Sequence, residues 1–219
     1  MNIFEFKKAI KLNVFSTDMI RAFMEKEYSQ PLLKINYMTK SNELIQLKRG
    51  VYALPQEYRS HPLNLIATAN MLCKPSYVSF EYALSYHGLI PERVFTITSA
   101  TTLRKRDWHT KVGAFSYQKI PINAYALGLE WLFNEKDGGH MIATAEKALC
   151  DTIQYDKRIP KLLEYELEEY LEEDLRIEYD DLNNLDSKLI WHIAMAYRST
   201  KLKTLAAVMK KRNIRNKIG

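Results

Sequence analysis

Apolar residues near the N-terminus recur at helical spacing. Ile3, Phe6 and Ile10 lie three or four residues apart with lysines between them, which predicts an amphipathic helix. A second helix is predicted to begin after residues 15–18, FSTD, because serine and aspartate favour helix starts and an apolar face follows over residues 19–24. Pro31 predicts the start of a third helix, since the first helical turn tolerates proline.

The third helix has one polar face. Leu32, Ile35 and Met38 are expected to point inward. The outer face is then formed by Gln30, Lys34, Tyr37 and Ser41. These side chains offer hydrogen-bond donors, a cation and an aromatic ring, all of which can contact base edges and phosphates. A solvated helix face has the same pattern, so both interpretations stay open at this stage.

Strand-like alternation follows over residues 44–48, LIQLK, and the chain returns over residues 51–54. Arg49-Gly50 is predicted to be the two-residue connection, because glycine readily takes positive φ. Lys48 and Arg49 would then project at the tip, where they can meet phosphates. An ordinary surface hairpin also places two solvated cations there. It is the combination of the hairpin with the helices before it that predicts a winged helix-turn-helix.

The rest of the chain predicts a larger mixed α/β domain that ends in helices. Helices are predicted over residues 62–74, from Ser79 to a stop at Gly88, over residues 144–155, and in most of the chain from there to residue 213. Strands are predicted over residues 94–99, 114–120, 127–133 and 140–143. The fold class is therefore α+β. Prolines bracket residues 55–62, which predicts a boundary between a winged domain, residues 1–58, and a C-terminal domain, residues 62–219.

Charge is distributed unevenly around a net value of +6. Residues 1–60 and 61–120 each sum to +4, whereas residues 161–187 sum to −9 and residues 188–219 to +9. The basic segments can face DNA and the acidic segment cannot. The acidic segment is interpreted either as a solvated helix face or as a site for a basic partner. A basic terminal tail is also expected.

A second candidate basic surface follows a predicted strand. It consists of Arg104, Lys105, Arg106 and Lys111, with Trp108 between them. Consecutive cations beside an indole ring suit a nucleic-acid backbone or another partner. The alternative is a solvated loop whose Trp108 is packed into the core.

The sequence contains none of the common short catalytic or phosphate-binding motifs. It contains no phosphate-binding glycine loop, no nucleophile elbow and no zinc-protease motif, and its five histidines are dispersed. His87 is expected to bind the last carbonyls of its own helix. Cys73 and Cys150 lie in apolar stretches and are predicted to be buried thiols. We therefore expect no enzyme, metal or cofactor. With no long apolar run or leader-like N-terminus, we also expect a cytoplasmic location and no membrane partner.

Several stretches together resemble the AbiEi family, the antitoxin and transcriptional-regulator half of bacterial type IV abortive-infection toxin–antitoxin systems. They are residues 45–55, IQLKRGVYALP; residues 75–92, PSYVSFEYALSYHGLIPE; residues 94–106, VFTITSATTLRKR; and residues 143–151, ATAEKALCD. The resemblance implies that the winged domain binds operator DNA and represses its own operon. It also implies that the C-terminal domain counters a nucleotidyltransferase-like toxin without needing a stable complex. The alternatives are a solitary regulator and a protein-interaction module of the same fold.

Overall fold

The computed structural model of the protein describes residues 12–25, 28–159 and 163–215. It is a mixed α+β structure, 47% helical and 21% strand, and its described part contains ten helices and two sheets. The mixed fold class predicted from the sequence is confirmed. The first predicted helix, with Ile3, Phe6 and Ile10, lies outside the described residues.

The N-terminal elements surround a small sheet. They are β1 (Val14–Ser16), α1 (Thr17–Met24), α2 (Pro31–Lys40), β2 (Ile45–Lys48) and β3 (Val51–Ala53). β3 lies between β1 and β2 and pairs antiparallel with both. Ser16 caps α1 as predicted, since its Oγ accepts a hydrogen bond from the Met19 N–H at 3.3 Å. Phe15 and Tyr52 lie opposite each other in the sheet and pack with apolar residues of both helices in a separate small core.

The other face of the small sheet packs against the rest of the protein. Leu47, Val51 and Ala53 belong to the larger core, not to the small one. The predicted linker contains a 3-10 turn, Gln56–Tyr58, and does not hold the two parts apart. The two sheets are separate in hydrogen bonding, but they share apolar contacts. The division into domains of residues 1–58 and 62–219 stays a prediction.

The larger part is built on a six-stranded mixed sheet in the order β6-β7-β5-β4-β9-β8. Its strands are β4 (Ser76–Val78), β5 (Ile97–Thr101), β6 (Arg106–Thr110), β7 (Gly113–Lys119), β8 (Leu129–Asn134) and β9 (Gly138–Ala143). β4 pairs parallel with β9 and β5 with β7, and the other neighbours are antiparallel. The helices that accompany the sheet are α3 (Leu65–Leu72), α4 (Phe80–Tyr86), α5 (Ile122–Tyr125) and α6 (Ala145–Tyr155).

The sequence pattern missed three strands for two reasons. β1 and β4 have three residues each, which is too short for an alternation to be read. β6 lies at the edge of the sheet and carries charged residues, so its sequence, RDWHT, lacks the apolar pattern that predicts a strand and favours a solvated loop. The four predicted strands are present as β5, β7, β8 and β9, each displaced by up to three residues at its ends.

The C-terminal part is helical, as predicted. It consists of α7 (Glu164–Glu169), a π-helical turn (Tyr170–Asp174), α8 (Tyr179–Asn184), α9 (Ser187–Tyr197) and α10 (Thr200–Arg215). α10 packs against α7 and α8, so the basic and acidic segments meet within the chain.

Ion pairs join these two segments. Lys211 donates to the carboxylate of Glu164. The buried Arg212 places Nη2 2.6 Å from Glu172 Oε1 and 3.6 Å from Glu168 Oε1. Part of the acidic segment therefore has its basic partner in cis.

Candidate nucleic-acid interface

The predicted outer face of α2 is only partly polar. Gln30, Tyr37 and Ser41 are exposed, and Ile35 and Met38 are buried as expected. The prediction for Leu32 is wrong, because its side chain is 53% exposed. The small core is covered by only two side chains of this ten-residue helix, Ile35 and Met38. Leu32 lies one turn before Ile35, beyond the edge of this core, and is therefore left in solvent. The next residue, Leu33, is 61% exposed, so the accessible face is a mixture of polar and aliphatic groups.

Three of the four predicted contact residues on this face, all except Gln30, contact one another or another part of the chain. The ammonium of Lys34 lies 5.3 Å from the ring centroid of Tyr37 and 5.7 Å from that of Tyr28. Cation–π contact of this kind holds the long side chain near the rings. Ser41 Oγ donates to the Tyr37 carbonyl at 3.1 Å, so its hydroxyl caps the end of α2. Gln30 and Tyr37 therefore present the most accessible polar groups of the four.

The β2–β3 hairpin has the predicted two-residue connection. Lys48 pairs with Val51, and Arg49-Gly50 makes the turn, with Gly50 at φ +84°. A register shift between Gln46 and Lys48 leaves Leu47 as the extra residue, which points into the larger core.

The tip of the hairpin is held against the start of α1. The Thr17 N–H donates to the Gly50 carbonyl at 2.9 Å. Arg49 is exposed at this tip, whereas Lys48 is half-buried because it contacts another part of the protein.

That contact is with Trp108 on β6. The Lys48 ammonium lies 5.3 Å from the Trp108 ring centroid, and the guanidinium carbon of Arg106 lies 5.9 Å from the same centroid. Trp108 packs edge-on against the buried Tyr117, with 5.1 Å between ring centroids. The tryptophan is thus partly packed into the core and partly a bridge between two cations. The structure brings together the two basic surfaces that the sequence predicts separately.

The remaining cations of the second surface are accessible. The exposed basic residues are Arg104, Lys105, Arg106 and Lys111, and Arg49 of the hairpin is exposed as well. Asp107 and His109 alternate with Arg106 and Trp108 along β6, so they point to the opposite face of the sheet. Lys105 lines a cleft with Asp107 and Glu81, so it lies on that opposite face as well. We name the set Lys48, Arg49, Arg104, Arg106 and Trp108 the composite basic surface. Such a surface can neutralise several phosphates.

A buried polar cluster that sequence reasoning missed lies below the larger sheet. Lys147 Nζ is 2.9 Å from Asp151 Oδ1, and both side chains have zero exposure. Asp151 also accepts hydrogen bonds from the hydroxyls of Ser79 at 2.7 Å, Tyr197 at 2.6 Å and Tyr77 at 2.9 Å. The signal in the sequence was a lysine and an aspartate four residues apart inside an apolar helix, within the stretch ATAEKALCD.

The cluster ties together four elements, and its ion pair is closed to solvent. Lys147 Nζ also donates to the Ala124 carbonyl at 2.9 Å, so α5, α6 and α9 converge with β4 on one ion pair. Burial raises the pKa of Tyr77 and of Tyr197, and the neighbouring Asp151 carboxylate raises both further. Both hydroxyls are therefore protonated donors at neutral pH. Because the ion pair has zero exposure and Tyr197, the most exposed member of the cluster, is only 8% accessible, the cluster is structural.

Ser79 and His87 do not make the local hydrogen bonds expected at the ends of α4, because each binds a residue distant in the sequence instead. Ser79 is the N-cap of α4, but its side chain makes no capping hydrogen bond and donates to Asp151 instead. His87 Nε2 lies 2.7 Å from the Ala143 carbonyl, not from a carbonyl of its own helix. In both cases a tertiary hydrogen bond, buried at Ser79 and part-buried at His87, replaces the local one. Cys73 and Cys150 are buried and unbridged, as predicted, and burial raises the pKa of Cys150.

One histidine gains a carboxylate neighbour through the fold. His61 Nε2 lies 3.1 Å from Asp137 Oδ1 and 2.9 Å from Asn13 Nδ2.

Within the described residues, no group of three histidine, cysteine or acidic side chains is arranged to hold a metal ion. Among the described helices, none is both long and apolar enough to cross a bilayer.

Comparison with protein-family models and with curated proteins gave no match over this chain.

Proposed function

We propose that this protein is a DNA-binding autorepressor and antitoxin of the AbiEi type, with an N-terminal winged helix-turn-helix. In this proposal α1 and α2 form the helix-turn-helix, α2 faces the operator, and the β2–β3 hairpin is the wing. Gln30 and Tyr37 would reach base edges, and Lys48 and Arg49 would contact phosphates. The protein acts in the bacterial cytoplasm and has no enzymatic activity of its own.

The observation that carries this proposal is the junction at Trp108. Lys48 of the hairpin and Arg106 of β6 lie on the same indole ring, so cations from two distant segments form one surface. Holding Lys48 on a ring fixes a side chain that would otherwise lose conformational freedom when it binds. Cations that are gathered on one surface can neutralise several phosphates of double-stranded DNA, which supports the proposal.

The test of DNA binding is a salt titration. Fluorescence anisotropy of the full chain on a duplex of its own promoter should give an affinity that falls steeply with salt. With four cations in the composite basic surface, the slope of log K against log salt is expected to approach about −3.6, that is about −0.9 per phosphate contact. A promoter duplex should be preferred over a scrambled one. A flat salt dependence, or no binding at low salt, would remove DNA from the proposal.

Exposed aliphatic residues on α2 favour a second candidate function. Leu32 and Leu33 are 53% and 61% exposed, and such neighbours suit a protein contact better than a phosphate. In this alternative the N-terminal part is a protein-interaction module that does not bind DNA. The salt titration separates the two candidates, because only the first predicts affinity for the promoter.

The antitoxin half of the proposal predicts a separation of effects. The full chain with Lys48→Ala and Arg49→Ala should still restore growth of cells that express a cognate nucleotidyltransferase-like toxin, because the larger part keeps its own sheet, core and buried cluster. Expression must come from a constitutive promoter, so that loss of repression does not change the protein level. Loss of rescue by this soluble variant would tie protection to the wing and contradict the separation.

A further inference from the structure

The six-stranded sheet ends in two edge strands of opposite chemical character. β6 carries the exposed charged residues Arg106 and Asp107, and charges on an edge strand oppose pairing with another chain. β8, with the sequence LEWLFN, carries one charge, Glu130. Two of its rings are exposed, Trp131 by 63% and Phe133 by 69%. Within the described part of the chain, no strand pairs with the outer side of β8.

The backbone of β8 offers hydrogen bonds at this edge. Trp131 lies opposite Met141 of β9. The Met141 N–H donates to Asn70 Oδ1, and the Met141 carbonyl accepts from Asn70 Nδ2 at 3.2 Å, so both groups point away from β8. Trp131 and Met141 are therefore a non-hydrogen-bonded pair of the antiparallel ladder, and the Trp131 N–H and C=O point outward. Phe133, two residues on, has the same orientation.

Packing against Gly139 explains why Trp131 is exposed on β8, but it does not explain Phe133. A Cβ at Gly139 would lie 1.7 Å from Trp131 Cζ2, so the indole lies on the Gly139 backbone. Aromatic rings on one strand stabilise glycines on the next in this way. Phe133 has no such role, because its ring is more exposed than that of Trp131 even though it lies opposite Gly139.

We propose that β8 pairs antiparallel with β8 of a second copy of this chain, about a two-fold axis through Leu132. Residues that face each other across an antiparallel pair lie on the same side of the sheet, as Trp131 and Phe133 do within β8, so this register can place the exposed rings face to face. This register sets Trp131 opposite the second copy's Phe133, twice. It also sets Glu130 opposite Asn134, which avoids a pair of like charges.

A second copy fits this edge because the edge is complementary to itself. Two-fold pairing uses the same strand on both chains, closes the assembly at a dimer and leaves no unpaired β8 edge. Two six-residue strands with four rings form a small interface, below the roughly 1,200 to 2,000 Å² of most stable complexes, so the dimer should dissociate on dilution.

Sedimentation velocity of the full chain, without DNA, tests the proposal. The wild-type protein should convert from monomer to dimer as its concentration rises through the micromolar range. Phe133→Lys should keep it monomeric at every concentration, because a charge replaces the outward ring at the edge. Phe95→Lys is the matched control: it also removes an exposed ring, 76% accessible, but away from β8, so the dimer should persist.

Cysteine pairs test the register. Trp131→Cys mixed with Phe133→Cys should give a disulfide-linked dimer under mild oxidation, whereas Trp131→Cys by itself should give little, because facing Cα atoms lie near the roughly 5.5 Å that a disulfide needs. A wild-type protein that stays monomeric, or a dimer that survives Phe133→Lys, overturns the proposal. Because no DNA is present, neither result bears on DNA binding.

Discussion

Replacing Asp151 by asparagine is expected to lower the free energy of unfolding by about 3–5 kcal/mol. The substitution leaves the Lys147 ammonium without its counter-ion in a site with zero exposure. It also exchanges a charged acceptor of three hydroxyl hydrogen bonds for a neutral one. Chemical denaturation followed by circular dichroism measures the loss, with the slope m checked for constancy.

An exposed ion pair of the same spacing is the control. Arg21 and Glu25 are also four residues apart and lie 2.9 Å apart, but both side chains are 55% exposed. Arg21→Ala should therefore lower the stability by less than about 1 kcal/mol. If the Asp151 variant does not fold, Tyr197→Phe removes only the hydroxyl that donates to Asp151 and accepts from Lys147, with an expected loss of about 1–3 kcal/mol. Losses equal to that of the Arg21 variant would show that the cluster contributes little.

Replacing Lys48 and Arg49 together by alanine is expected to weaken DNA binding regardless of sequence. Each lost phosphate contact removes about 0.9 from the slope of log K against log salt, so the slope should become shallower by about two units. The measurement is the anisotropy titration on promoter and scrambled duplexes at several salt concentrations. Both duplexes should lose affinity by the same factor, since phosphates carry no sequence information.

Two comparisons sharpen this result. Lys203→Ala removes an exposed cation far from the composite basic surface in the chain and should leave the slope unchanged. Tyr37→Ala should instead reduce the preference for the promoter over the scrambled duplex, because Tyr37 lies on the accessible face of α2. A double alanine variant that is folded and binds with unchanged affinity would take the hairpin out of the interface.

The cis ion pairs of the C-terminal part change the meaning of the charge map. Residues 161–187 and 188–219 carry −9 and +9, and each could have faced an external partner. Because Lys211 and Arg212 bind glutamates of residues 164–172, part of that charge is neutralised within the fold. If the protein binds DNA as proposed, its long-range attraction should depend more on the composite basic surface than the sums by segment imply.

Local patterns in the sequence determined what local physics controls. The cap at Ser16, the proline start of α2, the Arg49-Gly50 turn and the burial of both cysteines depend on neighbours within a few residues, and all are present. The mixed α+β class followed from the same signals. The predicted burial of Leu32 is wrong, because helical periodicity shows only which face of a helix is apolar. The size of the core decides how much of that face is buried.

Only the tertiary structure decided which distant groups meet. No spacing in the sequence connects Lys48 with Trp108, or Asp151 with Tyr77 and Tyr197, because such contacts depend on how sheets and helices pack. The sheet order likewise left β8 at one edge and β6 at the other, and this gives their apolar and charged sequences different consequences. The sequence thus determined most of the longer elements and the hairpin turn, while packing decided which surfaces they form, since long-range contacts are set by the shape of the whole core.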